Sequence, residues 1–113
     1  MKPLTVPEEI LLTAILRLKD NAYGVTIRKK IAEVTGQDIG YGTLYNILAQ
    51  LVRKGYVSKS RSAPTSERGG RSKIFYRLTA SGLKALQDAR LLQKKIWKNI
   101  PELIPEGSPA RHD

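Results

Sequence analysis

The stretch from Tyr41 to Tyr56, YGTLYNILAQLVRKGY, carries the pattern from which the rest of the chain can be interpreted. Its apolar residues recur at helical spacing and form one stripe, which consists of Leu44, Ile47, Leu48, Leu51 and Val52. The opposite side carries Thr43, Asn46, Gln50 and Arg53. Asn, Gln and Arg side chains can hydrogen-bond base edges, and Arg also neutralises phosphate. The stretch therefore predicts a helix with one side in a core and a polar side suited to DNA.

Two further helices are predicted before this stretch. Thr5 and Glu8 have the spacing of a capping box at the start of the first helix, whose apolar residues are Ile10, Leu11, Ala14, Ile15 and Leu18. The second helix is expected to begin near Tyr23–Gly24 and to stop at Gly36. Its predicted apolar face consists of Tyr23, Ile27, Ile31 and Val34. A short turn over residues 37–40 then leads into the third helix, an order typical of a helix-turn-helix.

A two-stranded wing and a fourth helix are predicted after the third helix. Residues 56–62 and 72–78 are the two strands, and the second alternates Ile74, Tyr76 and Leu78 against Lys73, Phe75 and Arg77. The Gly-, Ser-, Pro- and Arg-rich segment between them is typical of a hairpin loop. Thr79 can cap the last helix, and Pro101 should end it near Ile100. The expected fold class is α+β: a winged helix-turn-helix over 1–78, a C-terminal helix over 79–100 and a flexible tail over 101–113.

Length and charge limit the classes of partner. The 113 residues suffice for one domain with a real core. A net charge of +10 favours a polyanion, namely DNA, RNA or an anionic membrane surface, although charge alone would also fit an ordinary solvated surface. The chain has no cysteine, which suits a cytoplasmic protein. Pro7, Glu8 and Glu9 interrupt any signal-peptide pattern, and the apolar run 10–16 is too short to span a membrane.

Catalytic and metal-binding patterns find little support. The one histidine is His112, so nucleophilic sites built on Cys or His and clusters with metal-ligand spacing are not expected. Gly69–Gly70 precedes a predicted strand rather than a helix, unlike a phosphate-binding loop. We therefore expect no enzyme, no cofactor and no metal site.

Candidate DNA contacts lie on the third helix and in the basic hairpin. On the helix they are Thr43, Tyr45, Asn46, Gln50 and Arg53. The alternative is an ordinary solvated helix face, and for Arg53 it is compensation of the helix dipole. In the hairpin, Arg61, Arg68, Arg71 and Lys73 can follow the DNA backbone or enter a minor groove, unless they only solubilise the loop.

The apolar stripe of the last helix extends further than a three-helix body can cover, which usually marks a partner surface. The favoured partner is the same helix of a second copy, in a two-fold dimer, rather than the first helix of its own chain. Trp97 flanks the stripe and is either an interface anchor or, less often, a stacking platform for a flat aromatic ligand. The predicted dimerisation residues are Leu86, Ala89, Leu92, Ile96, Trp97 and Ile100.

Over residues 4–92 the chain resembles the PadR-type winged-helix transcriptional regulators. The residues that carry the resemblance are Tyr23–Gly24, Gly42-Thr43-Leu44-Tyr45, Leu48, Leu51, Gly55, Tyr56–Val57, Gly69-Gly70-Arg71, Lys73, Phe75-Tyr76-Arg77-Leu78-Thr79 and Gly82. The resemblance implies a homodimeric DNA-binding repressor, with recognition helices in successive major grooves, flanking wings and dimerisation through the C-terminal helix. It also makes Thr43, Tyr45 and residues 69–73 candidates for DNA contact.

Two features depart from the usual pattern of that family, and a third indicates a particular branch of it. Asn46 stands where proline is frequent, and Ile74 and Phe75 replace a basic residue and a tyrosine. The single short C-terminal helix resembles a smaller branch, of which some members bind aromatic compounds between the subunits. An aromatic effector near Trp97 is one consequence of this resemblance.

The function that the sequence favours is that of a sequence-specific regulator of transcription. We expect a homodimer that represses from a palindromic operator in double-stranded DNA, with a small aromatic ligand as a candidate inducer. The alternatives are a basic protein that binds nucleic acid without sequence preference and an adaptor for an acidic protein. The full set of predicted DNA-binding residues is Tyr23, Thr43, Tyr45, Asn46, Gln50, Arg53, Arg61, Arg68, Gly69, Gly70, Arg71 and Lys73.

Overall fold

Three helices, a two-stranded sheet and a fourth helix follow one another in the computed structural model, which describes residues 3–62 and 73–104. In chain order they are α1 (Val6–Leu18), a 3₁₀ turn (Lys19–Asn21), α2 (Gly24–Thr35), α3 (Tyr41–Arg53), β1 (Val57–Arg61), β2 (Ile74–Leu78) and α4 (Ala80–Trp97). The strands are antiparallel, from Val57 opposite Leu78 to Arg61 opposite Ile74. This architecture confirms the predicted α+β winged helix-turn-helix.

Local hydrogen bonds set the helix ends. At the start of α1, the Thr5 hydroxyl accepts from the backbone N–H of Glu8 at 3.3 Å, and the Glu8 carboxylate accepts from the backbone N–H of Thr5 at 2.9 Å. This is the predicted capping box. Gly36 ends α2 in the left-handed region, with a φ of 75°, where a residue without Cβ is favoured. The Thr79 hydroxyl accepts from Gly82 N–H at 3.0 Å and caps α4, as expected.

The core lies where α1, α2 and α3 meet the sheet. The most deeply buried apolar side chains are Leu11, Leu12, Ile15, Ile27, Leu44, Leu48, Leu51 and Val57. The stripe predicted on α3 is confirmed, with Ile47 and Val52 half-buried at its edges. Val34 lies on the same side of α2 as Ile27, as the periodicity predicts, but its side chain is 56% exposed. It belongs to the last turn of the helix, which ends at Thr35.

The root of the wing is fastened to the start of α2. The Tyr76 N–H donates to the Ala22 carbonyl at 2.8 Å, and Tyr23 forms an isolated antiparallel bridge with Phe75. Tyr76 points inward and is only 7% exposed, as the alternation predicts. Ile74, expected on the same inner side, is exposed instead, since it lies at the far end of β2 from the core.

Helix α4 begins in close contact with the segment before the wing. A Cβ built on Gly82 would lie 2.1 Å from the Tyr56 carbonyl oxygen, so a larger residue there would push α4 away. The helix ends at Trp97 rather than at Ile100, and Asn99 follows with a φ of 63°. Within residues 3–62 and 73–104, no helix has the length and apolar character needed to cross a membrane.

Candidate nucleic-acid interface

The polar stripe predicted on α3 faces solvent. Thr43, Asn46, Gln50 and Arg53 are all exposed, and Leu44, Leu48 and Leu51 hold the opposite side of the helix in the core. Residues spaced by three and four along a helix share one side. The four polar side chains therefore form one continuous surface with a fixed orientation relative to the body.

Tyr45 connects α3 to the start of α2. Its ring stacks on that of Tyr41, with centroids 6.1 Å apart and planes inclined by 22°. Its hydroxyl lies against Gly24, since a Cβ on Gly24 would come within 2.1 Å of the Tyr45 Oη. The side chain is 47% exposed, so Tyr45 is neither a core residue nor a freely solvated one. Gly24 provides the space in which this hydroxyl fits.

An ion pair holds the turn between α2 and α3. Arg28 Nε and Nη2 each donate to one oxygen of the Asp38 carboxylate at 2.7 Å. The same guanidinium lies over the Tyr41 ring, 4.4 Å from its centroid. The hydrogen bond from Arg28 lowers the pKa of Asp38, and the hydrogen bond to Asp38 raises the pKa of Arg28. The turn is thereby clamped, and with it the start of the stripe-bearing helix.

Two of the predicted contact residues meet beside the start of α2. Lys73 Nζ lies 4.4 Å from the centroid of the Tyr23 ring, which also packs edge-on against Phe75 with centroids 5.5 Å apart. Tyr23 is half-buried and Lys73 is exposed. An ammonium over an aromatic face is attracted by the ring. This contact places the Lys73 charge beside the first turn of α2.

A groove of about 340 Å³ runs between α3 and the sheet. Its lining residues are Tyr45, Ala49, Val52, Arg53, Lys59 and Tyr76. Lys59 lies opposite Tyr76 in the strand register, which puts both side chains on the same side of the sheet. Burial raises the pKa of Tyr76, and the nearby Tyr45 adds to that effect. Neither Lys59 nor Tyr76 could be predicted as a site residue from the sequence, because only the pairing of the strands brings them beside α3.

Some cations of the described residues are paired with a carboxylate and others are not. Arg28, Lys30, Lys54, Arg77 and Lys84 each form an ion pair with a carboxylate. Within residues 3–62 and 73–104, Arg53, Lys59, Arg61 and Lys73 form none. These four lie on α3 and the wing, whereas other cations that form no ion pair within the described residues, such as Arg17, Lys29 and Arg90, lie on the other helices. The charges of these four are therefore free to meet an external anion.

The remaining predicted residues are placed as follows. Arg61 is exposed at the end of β1, whereas Arg68, Gly69, Gly70 and Arg71 lie outside the described residues, so their roles stay predictions. On α4, Leu86 and Ala89 are half-buried, and Leu86 packs against the chain's own core. The exposed members of the predicted dimer set are Leu92, Ile96, Trp97 and Ile100. In the part of the chain that the structure describes, no three acidic, Cys or His side chains group as metal ligands would.

Known proteins share both sequence and fold with this chain. Residues 11–88 match the family described as the transcriptional regulator PadR-like family. RosR of H. salinarum, from crystals grown from NaBr, is 28% identical with a TM-score of 0.66, and the match covers 87% of this chain and 81% of that one. A PadR family transcription regulator from hypervirulent Clostridium difficile is 27% identical with a TM-score of 0.59, covering 82% of this chain and 88% of that one.

A PadR-like regulator from Bacillus cereus has a TM-score of 0.68 at 19% identity, over 84% of this chain and 87% of that one, and shows likeness of fold alone. Among curated proteins, no sequence matches significantly. The family match spans more than half of the 113 residues. The matched region is a winged helix whose third helix exposes a polar stripe. The chain therefore belongs to the PadR-like family, and it is a DNA-binding transcriptional regulator.

Proposed function

We propose that this regulator is a repressor that binds a roughly palindromic operator as a homodimer. The observation that carries the proposal is the exposed stripe of α3 beside four cations without an ion pair in the described residues. In this proposal Asn46 and Gln50 contact base edges in a major groove, and Arg53 contacts the backbone or a base. The wing cations Arg61 and Lys73 hold phosphates and set the orientation on the duplex.

The dimer is proposed because the apolar stripe of α4 is covered in the first half of the helix and exposed in the second half. Ala85, Leu86 and Ala89 share one side of the helix and are covered by the body of the same chain. The same side continues with Leu92 and Ile96, whose exposed fractions are 41% and 54%. An apolar stripe that leaves its own body favours a partner surface.

A second apolar surface lies on the other flank of α4. Leu16 of α1 and Leu83 and Leu91 of α4 are each about half exposed, and they line a groove of about 820 Å³ between the two helices. We propose that the last two turns of α4 from a second copy lie in this groove. Exchange of the same pair of surfaces by both copies gives a two-fold dimer.

Two-fold symmetry has a consequence for the target. Two α3 helices related by such an axis would read inverted half-sites, separated by about one helical turn or a multiple of it. Occupancy of a promoter by such a dimer would block transcription. Gel-shift competition tests the sequence preference: a selected operator should compete far better than scrambled duplex. Equal competition by both would favour the alternative of a basic, non-specific nucleic-acid-binding protein, which the net charge of +10 also fits.

The effector is a separate part of the proposal. Trp97 is 53% exposed at the end of the apolar stripe, so a planar aromatic compound could stack on its indole ring at the dimer seam. The other role open to Trp97 is that of an interface anchor. Quenching of Trp97 fluorescence by aromatic compounds, coupled to release of DNA, would support an effector site. Unchanged fluorescence across a diverse panel would contradict it.

A further inference from the structure

The groove between α3 and the sheet has the composition of an anion site. Arg53 and Lys59 contribute two cations to it, Tyr45 and Tyr76 contribute aromatic rings, and Ala49 and Val52 are small or apolar. No acidic side chain is among the residues that line it. Neither cation has a carboxylate partner within the described ranges 3–62 and 73–104. An anion in this groove would therefore meet two charges that no neighbouring carboxylate neutralises.

The Tyr76 hydroxyl adds a directed hydrogen-bond donor. The residue is 7% exposed and packs in the core, yet it also lines the groove. In the described part of the chain, the Tyr76 hydroxyl forms no hydrogen bond and no fully buried polar side-chain atom lacks a partner, so this hydroxyl is accessible to solvent. A tyrosine hydroxyl is protonated at neutral pH and can donate, and burial raises the pKa of Tyr76 further.

The position of the groove indicates the source of the anion. Arg53 belongs both to the groove and to the exposed stripe of α3, and Lys59 lies on the strand that leads into the wing. Because Arg53 is shared, a duplex whose major groove receives the α3 stripe would bring its backbone close to this groove. A backbone phosphate is therefore the anion nearest to the groove in such a complex.

We propose that a phosphate of the DNA backbone binds in this groove, held by Arg53 and Lys59 and by a hydrogen bond from the Tyr76 hydroxyl. The inference rests on the proposed function and adds to it two residues, Lys59 and Tyr76. Their role is to position: phosphate contacts fix the orientation of a protein on the duplex and carry no sequence information. This contact therefore sets how α3 enters the major groove.

Tyr76→Phe is the sharpest test, because it removes one oxygen and keeps the ring in the core. We expect about a tenfold loss of DNA affinity, since a hydrogen bond to a charged group contributes on the order of 1.5 kcal/mol. The loss should be equal for operator and unrelated duplex, and the salt dependence should not change. Lys59→Gln should instead reduce the slope of log affinity against log salt by about 0.9. Thermal melting checks that both variants fold.

Tyr56→Phe is the matched control. Tyr56 lines a different cavity, with Leu4, Ala85 and Leu92, so the loss of its hydroxyl should leave DNA affinity unchanged. A scan of duplexes with one neutral methylphosphonate at a time should find a position at which Tyr76→Phe causes no further loss. That position identifies the phosphate in the groove.

The outcomes separate this inference from the proposed function. Specific, wild-type-like binding by Tyr76→Phe would overturn the inference and leave the operator proposal intact. Saturable chemical-shift changes of Lys59 and Tyr76 that inorganic phosphate causes and duplex DNA does not cause would be a different result. That result would assign the groove to a free anion and would also overturn the inference. Absence of DNA binding by the wild-type protein at low salt would contradict the proposed function and the inference with it.

Discussion

Lys54, at the end of α3, donates to the carboxylate of Glu8, in the first turn of α1, with Nζ 2.5 Å from Oε2. The Glu8 side chain is 2% exposed and also caps its own helix through Thr5. Burial on its own would raise the pKa of Glu8, but the hydrogen bonds from Lys54 and Thr5 outweigh it and leave the pKa below its ordinary value. One buried carboxylate thus ties the end of the stripe-bearing helix to the start of the first helix.

Lys54→Met should lower the free energy of unfolding by about 1–2 kcal/mol at pH 7. This is less than the ~3–5 kcal/mol expected when a fully buried pair is broken, because Lys54 is 40% exposed. A carboxyl group with a lowered pKa stabilises the fold above its unfolded pKa, and this contribution is lost as the pH falls through the folded pKa. The gap in unfolding free energy between wild type and variant should therefore begin to narrow as the pH falls below the unfolded pKa of about 4.3, and should close once the pH is below the folded pKa.

Urea denaturation from pH 3 to pH 7 measures this gap. Lys84→Met is the control, because Lys84 pairs with Asp88 at the surface and its loss should have no measurable effect. An equal effect of the two substitutions, or a gap that does not vary with pH, would show that Glu8 gains nothing from Lys54.

Arg28→Lys should weaken DNA binding about three- to tenfold without change in net charge. Lysine cannot reproduce the two parallel hydrogen bonds to Asp38 or the guanidinium stacking on Tyr41, so the start of α3 is held less firmly. Because no charge is lost, the salt dependence of binding should stay the same. Lys30→Arg, in a surface pair with Glu33 on the same helix, is the control and should bind like wild type. Wild-type affinity of Arg28→Lys would contradict a role of the Arg28–Asp38 pair in positioning α3.

Gly24→Ala should destabilise the fold by about 1–3 kcal/mol, the usual cost of overpacking. The added Cβ would lie 2.1 Å from the Tyr45 Oη and 2.9 Å from its Cζ, so the ring must move. In a background of Tyr45→Leu, which lacks both atoms, the same substitution should cost little. Gly42→Ala is the control, since an added Cβ there meets nothing within 4 Å. Additive effects of Gly24→Ala and Tyr45→Leu would contradict the contact.

Ile96→Lys should convert the protein to a folded monomer. A charge on the exposed half of the α4 stripe would be buried without a partner in the proposed dimer. Val34→Lys is a matched control, because Val34 is 56% exposed and Ile96 is 54% exposed. Sedimentation equilibrium should give a dimer mass for the wild type and for Val34→Lys. A wild-type mass of one chain would contradict the dimer.

Local signals in the sequence predicted most of the fold. The stripe of Tyr41–Tyr56, the capping box of Thr5 and Glu8 and the stop at Gly36 each depend on residues close together in the chain. Val34 lies on the predicted apolar side of α2 and is nevertheless exposed, because periodicity gives the side of a helix and not how much of its length the core covers.

The missed parts of the candidate site depend on tertiary packing. Glu8 and Lys54 are 46 residues apart, and Arg28 and Asp38 meet across a turn whose geometry the sequence does not specify. Lys59 and Tyr76 come together only once the register of the two strands is fixed. Alternation along the strand predicts that Tyr76 points inward, but it does not predict the groove that Tyr76 lines.

Selection of bound sequences from a random duplex pool tests the central claim most directly, with wild type and Gln50→Ala in parallel. For the wild type we predict an inverted repeat with half-sites about one helical turn apart. Gln50→Ala should lose preference at particular bases within each half-site and keep the spacing. The assignment of α3 as the helix that reads the operator would be contradicted if the wild type enriched no motif. It would also be contradicted if Gln50→Ala enriched the same motif as the wild type with equal stringency.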